Sequence, residues 1–176
     1  GNNGTVQTTQ MNEIGNAANG QGGIGSTQYG NDASNMRFID IDTDATTFSS
    51  SSADLNLPAG TNTIKFARLY WGGRIAKTAI TAVPDTLQRI RIKANAGAYQ
   101  NVIAAASSVD RTDVTSTEVV YQSYADITNY VQQRGNGTYT IANLPASQGA
   151  VSNGGNYGGW SIIIVYENPN SLFNSV

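Results

Sequence analysis

The sequence predicts an all-β fold: a two-sheet antiparallel β-sandwich, jelly-roll or immunoglobulin-like, carrying one short helix. Three observations lead there. From Met36 onward, short segments of alternating or β-branched residues recur between clusters of turn residues, at the spacing of a sandwich. Charged residues make up only 12% of the chain, so its polar surface must be built from Ser, Thr, Asn, Gln and Gly, as in many extracellular β-proteins. Both tryptophans lie beside paired glycines in strand-like stretches, Leu69-Tyr70-Trp71-Gly72-Gly73-Arg74 and Gly158-Gly159-Trp160-Ser161-Ile162-Ile163-Ile164-Val165-Tyr166-Glu167. A large ring next to residues without side chains points to backbone packed closely against it inside a sheet.

Residues 1–35 are rich in Gly, Asn, Gln and Ser and show neither strand nor helix periodicity. Such a segment buries too little apolar surface to offset its ordering entropy, and it reads as a flexible arm or as one laid over the domain or a neighbouring chain by backbone hydrogen bonds. Residues 36–176 read as the sandwich domain. Residues 36–41 alternate weakly, Leu55 and Leu57 alternate ahead of Pro58-Ala59-Gly60, and 64–71 is a long strand that ends at the glycine pair. Further strands are expected at 88–93, 99–104, 118–124, 138–143 and 161–167, too many for one flat sheet. The last is apolar on both alternating faces, which predicts a central strand covered on both sides, stopped by Asn168-Pro169-Asn170. Between them, Ile127, Tyr130 and Val131 fall at i, i+3 and i+4 behind Asp126 as N-cap, and Gly135-Asn136-Gly137 follows. That pattern predicts a short helix plugging one end of the sandwich. Leu172, Phe173 and Val176 restart an apolar pattern without completing it, as expected of a domain incomplete at its C-terminus, the N-terminal piece of a longer polypeptide.

Histidine and cysteine are both absent. Their absence excludes disulfides, thiolate nucleophiles, a Ser-His-Asp triad and His-ligated zinc or iron. With Lys+Arg 10 against Asp+Glu 12, and the cations scattered, nucleic acid is not an expected partner. The longest apolar run, 162–166, is far too short to cross a bilayer as a helix, so no membrane span is expected.

Several stretches together resemble a domain near the N-terminus of large, repeat-containing bacterial cell-surface proteins, adhesin-like and including those of gliding Bacteroidota exported by the type IX system. They are Phe38-Ile39-Asp40-Ile41-Asp42-Thr43-Asp44 with 47–55, Ala67-Arg68-Leu69-Tyr70-Trp71-Gly72-Gly73, Tyr124-Ala125-Asp126-Ile127-Thr128, Gly137-Thr138-Tyr139-Thr140-Ile141-Ala142-Asn143, and Gly158-Gly159-Trp160-Ser161 leading to Val165-Tyr166-Glu167-Asn168-Pro169. The resemblance covers residues 36–170. It implies an extracellular, non-enzymatic role in adhesion or gliding motility at the bacterial surface. The implied partners are other segments of a longer surface protein or its secretion machinery. Similar proteins continue beyond Pro169 with further strands. If this chain stands alone, an open sheet edge invites self-association, which makes a polymerising fibre subunit the alternative.

Asp40, Asp42 and Asp44 alternate, so an extended strand would put their carboxylates on one face, and a loop could wrap them around calcium. The glycine and terminal glutamate of an EF-hand are missing, and a solvated strand end with Asx-turns is the favoured reading. No other cofactor is expected. Asp40, Asp42, Glu118 and Glu167 are the carboxylates available for glycosidase chemistry, but nothing in the sequence pairs them across a cleft, and an enzyme is not expected. Among the aromatics, Trp71 and Trp160 read as core. Tyr99, Tyr121 and Tyr157, flanked by polar residues or glycines, are the surface candidates for stacking against a surface polysaccharide, which a calcium-assisted carbohydrate-binding module would use.

Overall fold

A computed structural model describes residues 36–80, 86–149 and 155–170; the arm expected at 1–35 and the apolar residues Leu172, Phe173 and Val176 lie outside the described residues. The strands are β1 (Ser50–Leu55), β2 (Thr63–Ala76), β3 (Arg89–Ala94), β4 (Gln100–Ile103), β5 (Val109–Asp113), β6 (Glu118–Asp126), β7 (Gly137–Ala142) and β8 (Gly158–Glu167), with helix α1 (Thr128–Arg134) between β6 and β7. They build two four-stranded antiparallel sheets in the orders β1-β7-β3-β4 and β5-β6-β2-β8. The expected two-sheet sandwich with one short helix is the observed architecture.

Alternation decides which side chains enter the core. Ile90, Ile92, Tyr139 and Ile141 point inward from the first sheet, and Ala67, Leu69, Trp71, Ile75, Val119 and Tyr121 from the second. The two indoles tie the layers together through their N–H groups. Trp71 donates to the Leu87 carbonyl at 3.0 Å, which also accepts from the Ser123 hydroxyl, and Trp160 donates to Ser51 Oγ at 2.8 Å. Trp71 is fully buried, whereas Trp160, its direct cross-strand partner, is only half-buried against the core.

Helix α1 begins two residues after Asp126, whose carboxylate accepts the Thr128 N–H at 2.8 Å, and it ends where Gly135 takes a φ of +62°. Ile127 and Val131 close the end of the core, and Gln132 reaches the Ile64 carbonyl at 2.8 Å. The expected plug is therefore present.

Three strand expectations need correction. Residues 36–41 make only isolated bridges, Met36 with Gly149 and Asp40 with Ser50, and form no strand of either sheet. β2 does not stop at the glycines but runs through them to Ala76. β8 is not central: it is the outermost strand of its sheet, paired with β2 alone among the described residues. Its Ile162 and Ile164 pack on the core, while Ile163 and Val165 remain about half exposed, at 51% and 52%. A strand apolar on both faces was read as covered twice, and here one face is open. β5 was not foreseen, because an edge strand held by backbone pairing to β6 needs no apolar alternation, and Asp110 to Asp113 are all exposed.

The glycine pair in β2 has a steric cause. A Cβ at position 72 would lie 2.5 Å from the Tyr121 carbonyl oxygen, and one at 73 would lie 2.7 Å from that of Tyr157. Both neighbours are backbone and cannot swing away. Gly159 differs, since a Cβ there meets nothing within 4 Å. Gly72→Ala should therefore cost about 1–3 kcal/mol as an overpacking change, while Gly159→Ala should leave stability within about 0.5 kcal/mol; urea denaturation of both variants checks the contrast.

Candidate functional site

The carboxylates found in the sequence are taken up by internal bonds. Asp42 accepts from the Tyr99 hydroxyl, from Lys93 Nζ at 3.0 Å, from the Asp44 N–H at 3.1 Å and from the Thr47 hydroxyl at 3.2 Å. Burial alone would raise its pKa. The hydrogen bonds from Tyr99, Lys93 and the Asp44 N–H, with the charge of Lys93, outweigh burial and hold it at about 2. Asp44 accepts from the Thr46 hydroxyl and N–H in an Asx-turn, which also lowers its pKa. Asp40 accepts from the Ser50 hydroxyl at 2.7 Å. Among the described residues no group of three or more metal-ligating side chains is placed to hold a metal ion. The region is a knot of Asx-turns tying the segment before β1 to β3 and Tyr99.

The three tyrosines separate just as clearly. Tyr99 is half-buried, its hydroxyl on Asp42 and its ring under Arg91 and Lys93, with cation-to-centroid distances of 5.0 and 4.4 Å. Burial first, and then the Asp42 bond and charge, push its pKa well above the ordinary tyrosine range. Tyr121 is not a surface residue: it lies on the inner face of β6, buried, and donates to the Pro145 carbonyl at 2.6 Å. Gln122 beside it is exposed, as alternation requires, so polar sequence neighbours misled the surface reading. Tyr157 is exposed and lines a shallow trough with Tyr70, Gly72, Gly159 and Trp160.

The remaining glycosidase candidates are also occupied. Glu118 receives Arg74 in a buried ion pair, with the Arg74 Nε at 2.7 Å, and Glu167 pairs with Lys65 at 2.8 Å on the surface. Arg68 stacks between Phe66 and Tyr124 on the outer face of the second sheet.

Sequence reasoning missed a groove of about 550 Å³ beside the start of β3. Phe38 and Phe48 form one wall, their ring centroids 5.0 Å apart, and Phe48 is 50% exposed. Asn143, in the left-handed region at φ +59°, accepts the Phe48 N–H at 2.9 Å and so fixes that wall. Arg89 and Arg91 supply the charge. They alternate with the buried Ile90 and Ile92, so Arg89, Arg91 and Lys93 share the outer face of β3. Arg91 stands directly opposite Asn101 of β4. The signal was present in the sequence as Arg-Ile-Arg-Ile-Lys within the expected strand at 88–93.

No family model, no curated protein and no solved structure matches the chain. Function has to be read from the chemistry of these residues.

Because the folded-state pKa of Asp42 lies below its ordinary 3.8, its carboxylate stabilises the fold above that pH, and the contribution is lost as pH falls toward about 2. Asp42→Asn should accordingly be less stable than the natural chain at pH 5, with the gap narrowing by pH 2, as read from urea midpoints at the two pH values.

Proposed function

We propose that this chain is a non-enzymatic domain of an extracellular, adhesin-like protein of the bacterial cell surface, joined to its neighbours by strand addition. The observation that supports this most is β8. Among the described residues it is an edge strand, ten residues long with no charge before Glu167, and Ile163 and Val165 are about half exposed. Proteins that avoid edge pairing place lysine, proline or bulges on such strands; the inner eight residues of β8 carry no lysine or proline, and the register shift in its ladder falls on the β2 side, between Ile64 and Phe66. An extended segment of the same surface protein, or of a second copy, would pair with the backbone groups of β8 that no described residue pairs and set its own side chains beside the apolar pair.

The polar chemistry is consistent with a structural role. The acidic side chains weighed for catalysis each hold an internal partner, Asp40 on Ser50, Asp42 on Lys93 and Tyr99, Glu118 on Arg74, and Glu167 on Lys65. The low density of charge suits an exposed β-scaffold stiffened by Ser, Thr and Asn hydrogen bonds. Adhesion and surface location come from the sequence resemblance, and the open strand supplies the means of assembly.

The full chain should associate as its concentration rises, read by sedimentation equilibrium. The double variant Ile163→Lys, Val165→Lys should stay monomeric with an unchanged circular dichroism spectrum. A natural chain that remains monomeric at every concentration, or a double variant that associates equally well, would contradict strand addition at β8.

A further inference from the structure

We propose that the groove at the start of β3 is a binding site for acidic saccharides, chains bearing uronate carboxylates. The site goes beyond strand addition and lies on different strands from β8.

The argument begins with charge. The chain carries a net charge of -2, yet the described residues lining the groove include two arginines and no acid. Along the outer face of β3 the cations become progressively less committed. Lys93 is ion-paired with Asp42, and Arg91 donates to the Thr46 hydroxyl and carbonyl at 2.7 and 3.1 Å while stacking on Tyr99. Arg89 is exposed, and its side chain makes no hydrogen bond or ion pair among the described residues. A guanidinium with its full fork of donors, in a concavity whose described lining holds no carboxylate, matches a carboxylate ligand in sign and geometry.

The second argument is the remaining lining. Asn101 and the amide nitrogen of Asn143 have no partner among the described residues, because Asn143 spends only its oxygen on Phe48. The groove therefore presents donors in excess of acceptors, next to a half-exposed phenyl ring held by the Asn143 bond. A sugar ring combines an apolar C–H face with hydroxyl acceptors, and a uronate adds the anion. Its volume falls within the range of about 300–1,000 Å³ usual for small-ligand sites. In the bound state Arg89 would clamp the carboxylate, Phe48 would lie against the C–H face, and Asn101 and Asn143 would donate to ring hydroxyls.

Isothermal titration calorimetry on the full chain, with trigalacturonate as the acidic probe and cellotriose as the neutral one, tests this. Trigalacturonate should bind and weaken as salt is raised, and cellotriose should bind at least about tenfold more weakly. Arg89→Gln and Phe48→Ala should each reduce trigalacturonate affinity about tenfold or more, whereas Arg134→Gln, a cation outside the groove, should not change it. All three positions are solvent-exposed, and circular dichroism confirms folding. Overturning results are no trigalacturonate binding, equal binding of cellotriose, an Arg89→Gln variant that binds like the natural chain, or tighter binding of oligothymidylate or a polyglutamate peptide. The Ile163→Lys, Val165→Lys chain should retain trigalacturonate binding, so failure of strand addition and failure of this site give different results.

Discussion

The close approach of backbone to β2 at Gly72 and Gly73 is the constraint on which the sandwich depends. β6 on one side and the segment entering β8 on the other come within carbonyl contact of those two positions, and any side chain there would force one of them off. With the glycines in place, Trp71 can turn inward and fill the centre of the core, its indole N–H spent on Leu87. Just beyond them Arg74 is buried with Glu118 and bonded by its backbone N–H to the Tyr157 carbonyl at 3.0 Å. A buried pair of this kind adds little net stability but strands a charge if either member is lost, at about 3–5 kcal/mol. β2, its partners and the loop before β8 are thereby locked in one register.

Much of this was legible in the sequence. Strands with one buried face announce themselves by alternation, and β3, β6 and β7 were placed within a residue or two for that reason. The two glycine-tryptophan stretches were rightly read as sheet, and they pair directly with each other, Trp71 opposite Trp160 and Gly72 opposite Gly159. Position within a sheet was not legible. Continuous apolar character in β8 has the same pattern whether its second face is covered by this chain or left for another, and periodicity does not distinguish them. β5 was missed for the converse reason, since backbone pairing leaves no mark on side-chain choice.

The sites divide along the same line. Asx-turns around Asp42 and Asp44 follow from local residue types, and the sequence reading favoured them over a metal loop. Tyr121 differs from the expectation because burial belongs to the face of a strand, and Gln122 beside it occupies the other face. The groove escaped notice because its wall is assembled from Phe48, Asn143 and Arg89, residues far apart in sequence that meet only when β1, β3 and β7 share a sheet. Only the cation alternation on β3 was local enough to be seen.

The account places rigidity in β2 and, among the described residues, exposed chemistry at the outer edge of β8 and in the groove at the start of β3. Residue-resolved hydrogen exchange of the full chain at low concentration tests that division most directly. The account predicts that amides of β2 between Leu69 and Ile75 are the slowest to exchange, and that β8 alternates, with amides bonded to β2 slow and those facing outward fast. Continuous protection along β8 in the dilute chain, or β2 exchanging as fast as the edge strands, would contradict it.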